Sequence, residues 1–218
     1  LSPTFTFGTP GNHTVTHRVT DAWGRADSLT RTITIGASIT SISISPPAAT
    51  FYAIGDSMQF TAVGRDSMAS AVPGLPITWS IADTNVVSLD STGLVIARAV
   101  GVAYVRASIF GVIDSAEVTV TQLPASVEAT PSGASIAHQD STVTLSATVR
   151  DQNGYPILGA PYRWVSDDTT IVTVSPTGLV SPVANGTTTV RAIVDRPFDT
   201  VEDTVLVLVA MPLPSGPI

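Results

Sequence analysis

Three histidines, 17 acidic side chains and no cysteine are the groups with which this chain could do chemistry. His13 and His17 have a spacing that suggests a metal site. On a strand, residues four apart face the same way but lie about 13 Å apart, too far for one ion to hold both. They share their face with Val15 and Val19, so they read as interface or core-edge histidines. His138 stands alone in a polar loop, and no nucleophile lies beside a base, so a hydrolytic triad has no support. Without cysteine there is neither disulfide nor thiolate chemistry. Asp167-Asp168, Asp83, Asp90 and the Asp21/Asp27 pair could offer oxygen to calcium, but none sits in a dense D-x-D-x-D-G loop. They read as solvated turn carboxylates, with Asp83 and Asp167 expected to accept backbone N–H groups of their own turns. The sequence therefore nominates no catalytic residue, no metal ligand and no cofactor site.

Trp23, in DAWGRAD, falls at the expected tip of a hairpin. An indole left wet there is costly, which points to contact with a neighbouring domain or subunit. Stacking on a sugar is the other reading, but it needs companion aromatics, and Tyr52, Tyr104, Tyr155 and Tyr162 are scattered. Asn12-His13-Thr14 and Asn185-Gly186-Thr187 fit the glycosylation sequon, although Asn185-Gly186 reads first as a turn. The Ser/Thr-rich faces would suit O-linked sugar.

The elements that must carry these residues are strands. The 218 residues are 44% hydrophobic but only 12% charged and 6% aromatic. Such a chain is too apolar for disorder and too poor in aromatics for one large aromatic core. Ser and Thr make up roughly a quarter of it, and β-branched residues fit a pleated surface better than a helix. No long stretch carries a helical apolar stripe, so the class is all-β. The net charge of −7 argues against a nucleic-acid partner, and all ten cations are Arg. No membrane span or secretion signal is visible. A chain beginning at Leu1 is expected to be a processed or excised product.

From residue 38 onward the chain says nearly the same thing twice. TWSIADTNVVSLDSTGLV begins at Thr78 and RWVSDDTTIVTVSPTGLV at Arg163; Trp79 to Trp164 and Gly93 to Gly178 both span 85 residues. Phe60 matches Leu145, Gly74 matches Gly159, and Arg106 matches Arg191 at the same interval. In the first copy ITSISIS, SMQFTAV, PITWS, VVSL, LVIAR, VAYVRA and AEVTV read as strands, and the second copy repeats the scheme. Trp79 and Trp164 should fill the space between two sheets, with Phe60 and Leu145 beside them. Gly93 and Gly178 should take positive φ in tight turns. These are folding residues.

Trp-x-Ser or Ser-Asp, then Val-x-Val or Val-x-Leu, Thr-Gly-Leu-Val, Gly and Val-Arg-Ala together resemble the bacterial immunoglobulin-like group 2 family, over 37–121 and 122–210. DQNGYPILGAP (151–161) is similar to a hairpin of the related invasin-type modules. The resemblance implies small Greek-key β-sandwiches in an elongated array, of the kind found in surface adhesins, secreted enzymes and phage structural proteins. It brings no catalytic residues. Residues 1–36 resemble the closing half of a polycystic-kidney-disease (PKD) repeat through Pro10-Gly11, Val15, Val19, Asp21, Gly24 and Ile33-Thr34-Ile35; His13 and His17 stand where that family has an aromatic and a Leu.

Such a half domain of about three strands cannot bury its apolar face alone. Phe5, Phe7, Val15, Val19, Leu29, Ile33 and Ile35 need cover from another segment or another molecule. At the other end, Val205-Leu206-Val207-Leu208-Val209 is apolar at every position and expects cover on both faces. An extended tail, 211–218, follows with Met211 and Leu213. These features predict a non-enzymatic extracellular bacterial fibre or surface subunit that self-associates head to tail. The C-terminal strand and tail would complete the N-terminal half sandwich of the next molecule. The alternatives are a glycan- or cell-binding adhesin or phage decoration segment, and a spacer of a larger secreted enzyme. Linkers at Gly36-Ala37 and Gln122-Leu123-Pro124 are short enough to predict a semi-rigid rod.

Overall fold

The computed structural model describes residues 4–7, 11–36 and 38–212, and every regular element among them is a strand. The N-terminal unit is one antiparallel hairpin, β1 (Gly11–Thr20) and β2 (Ala26–Ile35), in unbroken register from Gly11↔Ile35 to Thr20↔Ala26. Phe5 and Phe7 precede it without strand structure, and among the described residues of this unit two strands form. Alternation gives the hairpin two faces. Thr14, Thr16, Thr30 and Thr32 line one of them; His13, Val15, His17, Val19, Leu29 and Ile33 line the other.

The first sandwich contains β3 (Ser41–Ser45), β4 (Ala48–Phe51), β5 (Ser57–Gln59), β6 (Thr61–Arg65), β7 (Ala71–Val72), β8 (Thr78–Ile81), β9 (Val87–Leu89), β10 (Leu94–Ala97), β11 (Gly101–Ile109) and β12 (Val112–Val120). One sheet runs β4-β12-β11-β8; β3-β6-β7 and β5-β10-β9 form the ladders of the other side. The second sandwich contains β13 (Ser126–Thr130), β14 (Gly133–Ile136), β15 (Val143–Thr144), β16 (Ser146–Arg150), β17 (Arg163–Ser166), β18 (Val172–Val174), β19 (Leu179–Pro182), β20 (Gly186–Asp195) and β21 (Thr200–Val209). Its four-stranded sheet, β14-β21-β20-β17, copies that of the first.

In both copies the first strand ends at a proline, Pro46 or Pro131, and the chain then crosses to the opposite sheet. There β4 and β14 pair in parallel with β12 and β21. Sequence reasoning missed both of these strands. Ala-Ala-Thr-Phe and Gly-Ala-Ser-Ile are short, lie beside prolines and carry few β-branched residues, so they read as turn; their pairing is set by a strand some seventy residues away. Two carboxylates hold the crossing: Asp114 accepts from the Ile44 N–H at 2.9 Å and Asp203 from the Ala129 N–H at 2.8 Å.

Each sandwich has its own core. Phe60, Val87, Val105, Val118 and Ile109 are fully buried in the first, with Trp79 half-buried against them. Leu145, Val172, Val180, Val190 and Val207 fill the second with Trp164, which is 8% exposed. The Thr-Gly-Leu-Val turn locks onto both. Phe60 N–H donates to the Gly93 carbonyl at 2.9 Å, and Leu145 N–H to that of Gly178 at 2.8 Å. Gly93 and Gly178 have φ of 90° and 84°. A Cβ on Gly178 would lie 2.3 Å from the Leu145 carbonyl oxygen, and one on Gly93 would lie 2.9 Å from the Trp79 ring. Glycine is required there by conformation and by space.

The 205–209 stretch of strand β21 is apolar at every position but not covered at every position. Val205, Val207 and Val209 are buried, whereas Leu206 and Leu208 point outward, 55% and 44% exposed. Its 206–209 stretch is hydrogen-bonded to β20 on one edge and to β14 on the other. This stretch therefore cannot donate an edge to another molecule without breaking its own sheet. What it offers outward is a side-chain face.

Substitution Trp164→Ala should lower the stability of the second sandwich by about 3–5 kcal/mol. Gly178→Ala should cost at least about 1–3 kcal/mol through strain alone. Thermal melts of the two variants check this, and a Gly178→Ala protein that melts with the wild type would contradict the lock.

Candidate functional site

A dense cluster of polar hydrogen bonds joins the two sandwiches, and one carboxylate lies at its centre. Asp151 opens the turn after β16, in the sequence Asp-Gln-Asn-Gly-Tyr-Pro, where Gly154 takes φ of 83°. Its Oδ1 accepts the N–H groups of Asn153 (3.1 Å) and Tyr155 (2.9 Å), which shapes the turn. Its Oδ2 reaches across the joint to the Ile54 N–H (2.9 Å) and to Gln122 Nε2 in the linker (2.9 Å). The side chain is 2% exposed. Burial pushes its pKa up, but the donors from Gln122, Ile54, Tyr155 and Asn153 outweigh it and hold the group below its ordinary 3.8.

A second acid answers from the first sandwich. Asp56 Oδ2 accepts the N–H groups of Tyr52 and Ala53, fixing the 52–56 loop. Its Oδ1 accepts Asn153 Nδ2 at 2.9 Å and Gln152 Nε2 at 3.1 Å. Asn153 Nδ2 also donates to the Ile54 carbonyl. Burial again opposes these bonds, and the bonds again keep the pKa low. Arg196, in the β20–β21 turn, adds a third tether by donating to the Pro124 carbonyl at 3.3 Å. The turn of the first copy that aligns with 151–155, Asp66-Ser67-Met68-Ala69-Ser70, keeps only half of the Asp151 arrangement. Asp66 Oδ1 caps Met68 and Ser70, and no hydrogen bond reaches its Oδ2 among the described residues. Sequence comparison sees the aligned Asp but not that only one of the pair is buried by a neighbour.

The residues singled out as inter-subunit contacts do not join this cluster. His13 is half-buried with its ring tilted against that of Phe7 at 4.6 Å, and the Phe7 ring is tilted against that of Phe5 at 5.1 Å. Val15 is half-buried, while His17, Val19, Leu29 and Ile33 are exposed. Trp23 sits in the β1–β2 turn, 82% exposed, with the Arg25 guanidinium 5.7 Å from its ring. Asp21 shapes that turn, accepting from the N–H groups of Trp23 and Arg25 and from Arg25 Nε. Met211 packs against the second core, and Asn185 clasps it through both its N–H and its carbonyl. Leu213 lies outside the described residues.

The turn acids divide. Asp83 and Asp90 cap their turns, through Asn85 and through Thr92 and Leu94. Asp167 does not, contrary to expectation. It accepts from the Thr189 hydroxyl and from Arg191 Nε (2.8 Å), and Asp168 caps the turn instead through Thr170. The reason is position: the strand-end Asp167 lies opposite Thr189 and Arg191 on β20, a cross-strand partnership invisible in the sequence. No three acidic or histidine side chains converge on a metal position among the described residues.

This arrangement can hold two bodies in one orientation. The model of the bacterial Ig-like domain (group 2) matches residues 38–120 and 124–205. A relative described as ice-binding protein 1 of Shewanella frigidimarina is 27% identical over 190 residues, which is 84% of this chain and 21% of that protein; the chain thus spans about a fifth of that relative's length. Among solved structures, domains 1–6 of the surface layer protein SbsC are similar at 19% identity and TM-score 0.36, over 94% of this chain and 36% of that one. The Escherichia coli adhesin FdeC is similar at 18% identity and TM-score 0.42, over 85% and 68%.

Asp151→Asn turns one acceptor into a donor, facing either Ile54 N–H and Gln122 together or the N–H groups of Asn153 and Tyr155, and should cost roughly 2–3 kcal/mol of joint stability. Because the folded pKa is depressed, the wild-type contribution is present above 3.8 and is lost as pH falls through the folded value. Denaturation from pH 8 to 2 should show a flat plateau to about pH 4, then a decline that is smaller in the variant. Equal declines in the two proteins would contradict this role.

Proposed function

The chain belongs to the bacterial Ig-like (group 2) family twice over, and from that premise we propose that it is a non-enzymatic spacer of an extracellular bacterial surface structure. Its work is to set a distance and an orientation. The observation that carries the reading is the Asp151 joint: a buried carboxylate tied to both sandwiches and the linker is a costly feature unless relative orientation matters. A flexible string of domains needs no such tie.

Within that reading the ends make the contacts. The hairpin leaves Val19, Leu29 and Ile33 exposed on one face, and β21 leaves Leu206 and Leu208 exposed at the other end of the chain. A heterologous pairing of these faces, helped by the tail 211–218, builds an open head-to-tail fibre rather than a closed ring. Since β21 is paired on both edges over 206–209, the contact is a packing of faces, not the insertion of that strand. A second reading, a spacer segment inside a longer surface protein, is favoured by the relative of which the matching region is only 21%. In that case the apolar faces are covered by flanking domains of the same polypeptide.

Leu206→Ser with Leu208→Ser removes the outward face and leaves the buried valines untouched. Head-to-tail assembly predicts concentration-dependent rods of the wild type in electron microscopy and light scattering, and their loss in the double variant. Rods that survive the substitution would overturn this contact. A wild type that stays monomeric at every concentration would leave the spacer reading standing and end the fibre reading.

A further inference from the structure

Between the 52–56 loop of the first sandwich and the β20–β21 turn of the second runs a groove of about 510 Å³, the size of a small-ligand site. The linker, Leu123-Pro124-Ala125, lines it together with Tyr52 and Phe198. Phe198 is wholly exposed and Tyr52 half so. The groove thus carries two aromatic rings open to solvent. The turn is not loose, since Arg196 ties it to the Pro124 carbonyl and to Asp199. Gln152 is tied to Asp56 on the facing side. The groove is therefore built by the joint.

We infer that this groove binds a neutral oligosaccharide, stacked on Tyr52 and Phe198 and hydrogen-bonded to Asp195 and Asp199. The charges argue for neutrality. Asp195 is bridged by both Nε and Nη2 of Arg163 at 3.1 Å, and Asp199 is forked by Arg196. Each carboxylate is neutralised by its own arginine, so no net field draws an ion, yet each oxygen keeps a lone pair for a hydroxyl donor. The linker backbone argues against an extended peptide. Leu123 N–H is committed to the Tyr52 carbonyl and Ala125 N–H to that of Arg150, and Pro124 has none, so a peptide carbonyl finds no backbone donor there. A pyranose needs none: its C–H face packs on an aromatic ring and its rim hydroxyls donate. The groove lies apart from the faces invoked for end-to-end contact, so the two proposals succeed or fail separately.

The test is an NMR titration of the full chain with cello-, malto-, xylo-, manno- and chitohexaose, with a heparin hexasaccharide and a proline-rich decapeptide as the other arms. At least one neutral hexasaccharide should shift the amides of 123–125 and 196–199 with a dissociation constant on the order of 1 mM, insensitive to added salt. Phe198→Ala and Tyr52→Ala change exposed side chains and should leave the melting temperature in place while weakening binding at least about tenfold. Silence with all five neutral sugars, shifts with heparin or peptide alone, or binding that survives both substitutions would each overturn the inference.

Discussion

A single buried carboxylate governs what this molecule can be. Asp151 shapes its own turn with one oxygen and reaches a neighbouring domain and the linker with the other. A charge taken out of water at that place is stable only while all four donors stay in position. The donors come from three separate pieces of chain, so the charge couples their geometry. Two sandwiches that could each fold around their own core are thereby set in one orientation.

Within each sandwich the corresponding constraint is steric. A tryptophan fills the space between sheets, and a turn glycine closes over it so tightly that a Cβ would overlap a backbone oxygen. That lock is copied at Trp79–Gly93–Phe60 and Trp164–Gly178–Leu145. The joint is not copied. Asp66 caps the corresponding turn of the first sandwich, but Ser67 and Met68 stand where Gln152 and Asn153 reach across. The repeat thus preserves what folding needs and varies what connection needs, and the variation lies in a loop.

Much of this was legible in the sequence, because folding residues repeat. The interval between the tryptophans, the Thr-Gly-Leu-Val turns and the alternating valines predicted both sandwiches and most of their strands. The crossing strands at 48–51 and 133–136 were not legible, since their partners lie far away in sequence and proline masks their start. Asp167 was misassigned for the same kind of reason: its partners are across a ladder. The joint was half legible. DQNGYP announced a hairpin turn, but nothing in one sequence says that an Asx-turn oxygen is to be buried by the domain before it. Leu206 and Leu208 were read as needing cover, and the structure leaves them facing outward on a strand whose 206–209 edges are both occupied.

The absence of native cysteine makes the central claim directly measurable, because spin labels can be attached at Ser91→Cys in the first sandwich and Ser132→Cys in the second without competition. Pulsed electron–electron resonance then reads the distribution of distances across the joint. A single narrow distribution in the wild type, broadened by Asp151→Asn while both cores stay folded, is what a carboxylate-held orientation predicts. A wild-type distribution as broad as that of the variant would contradict it.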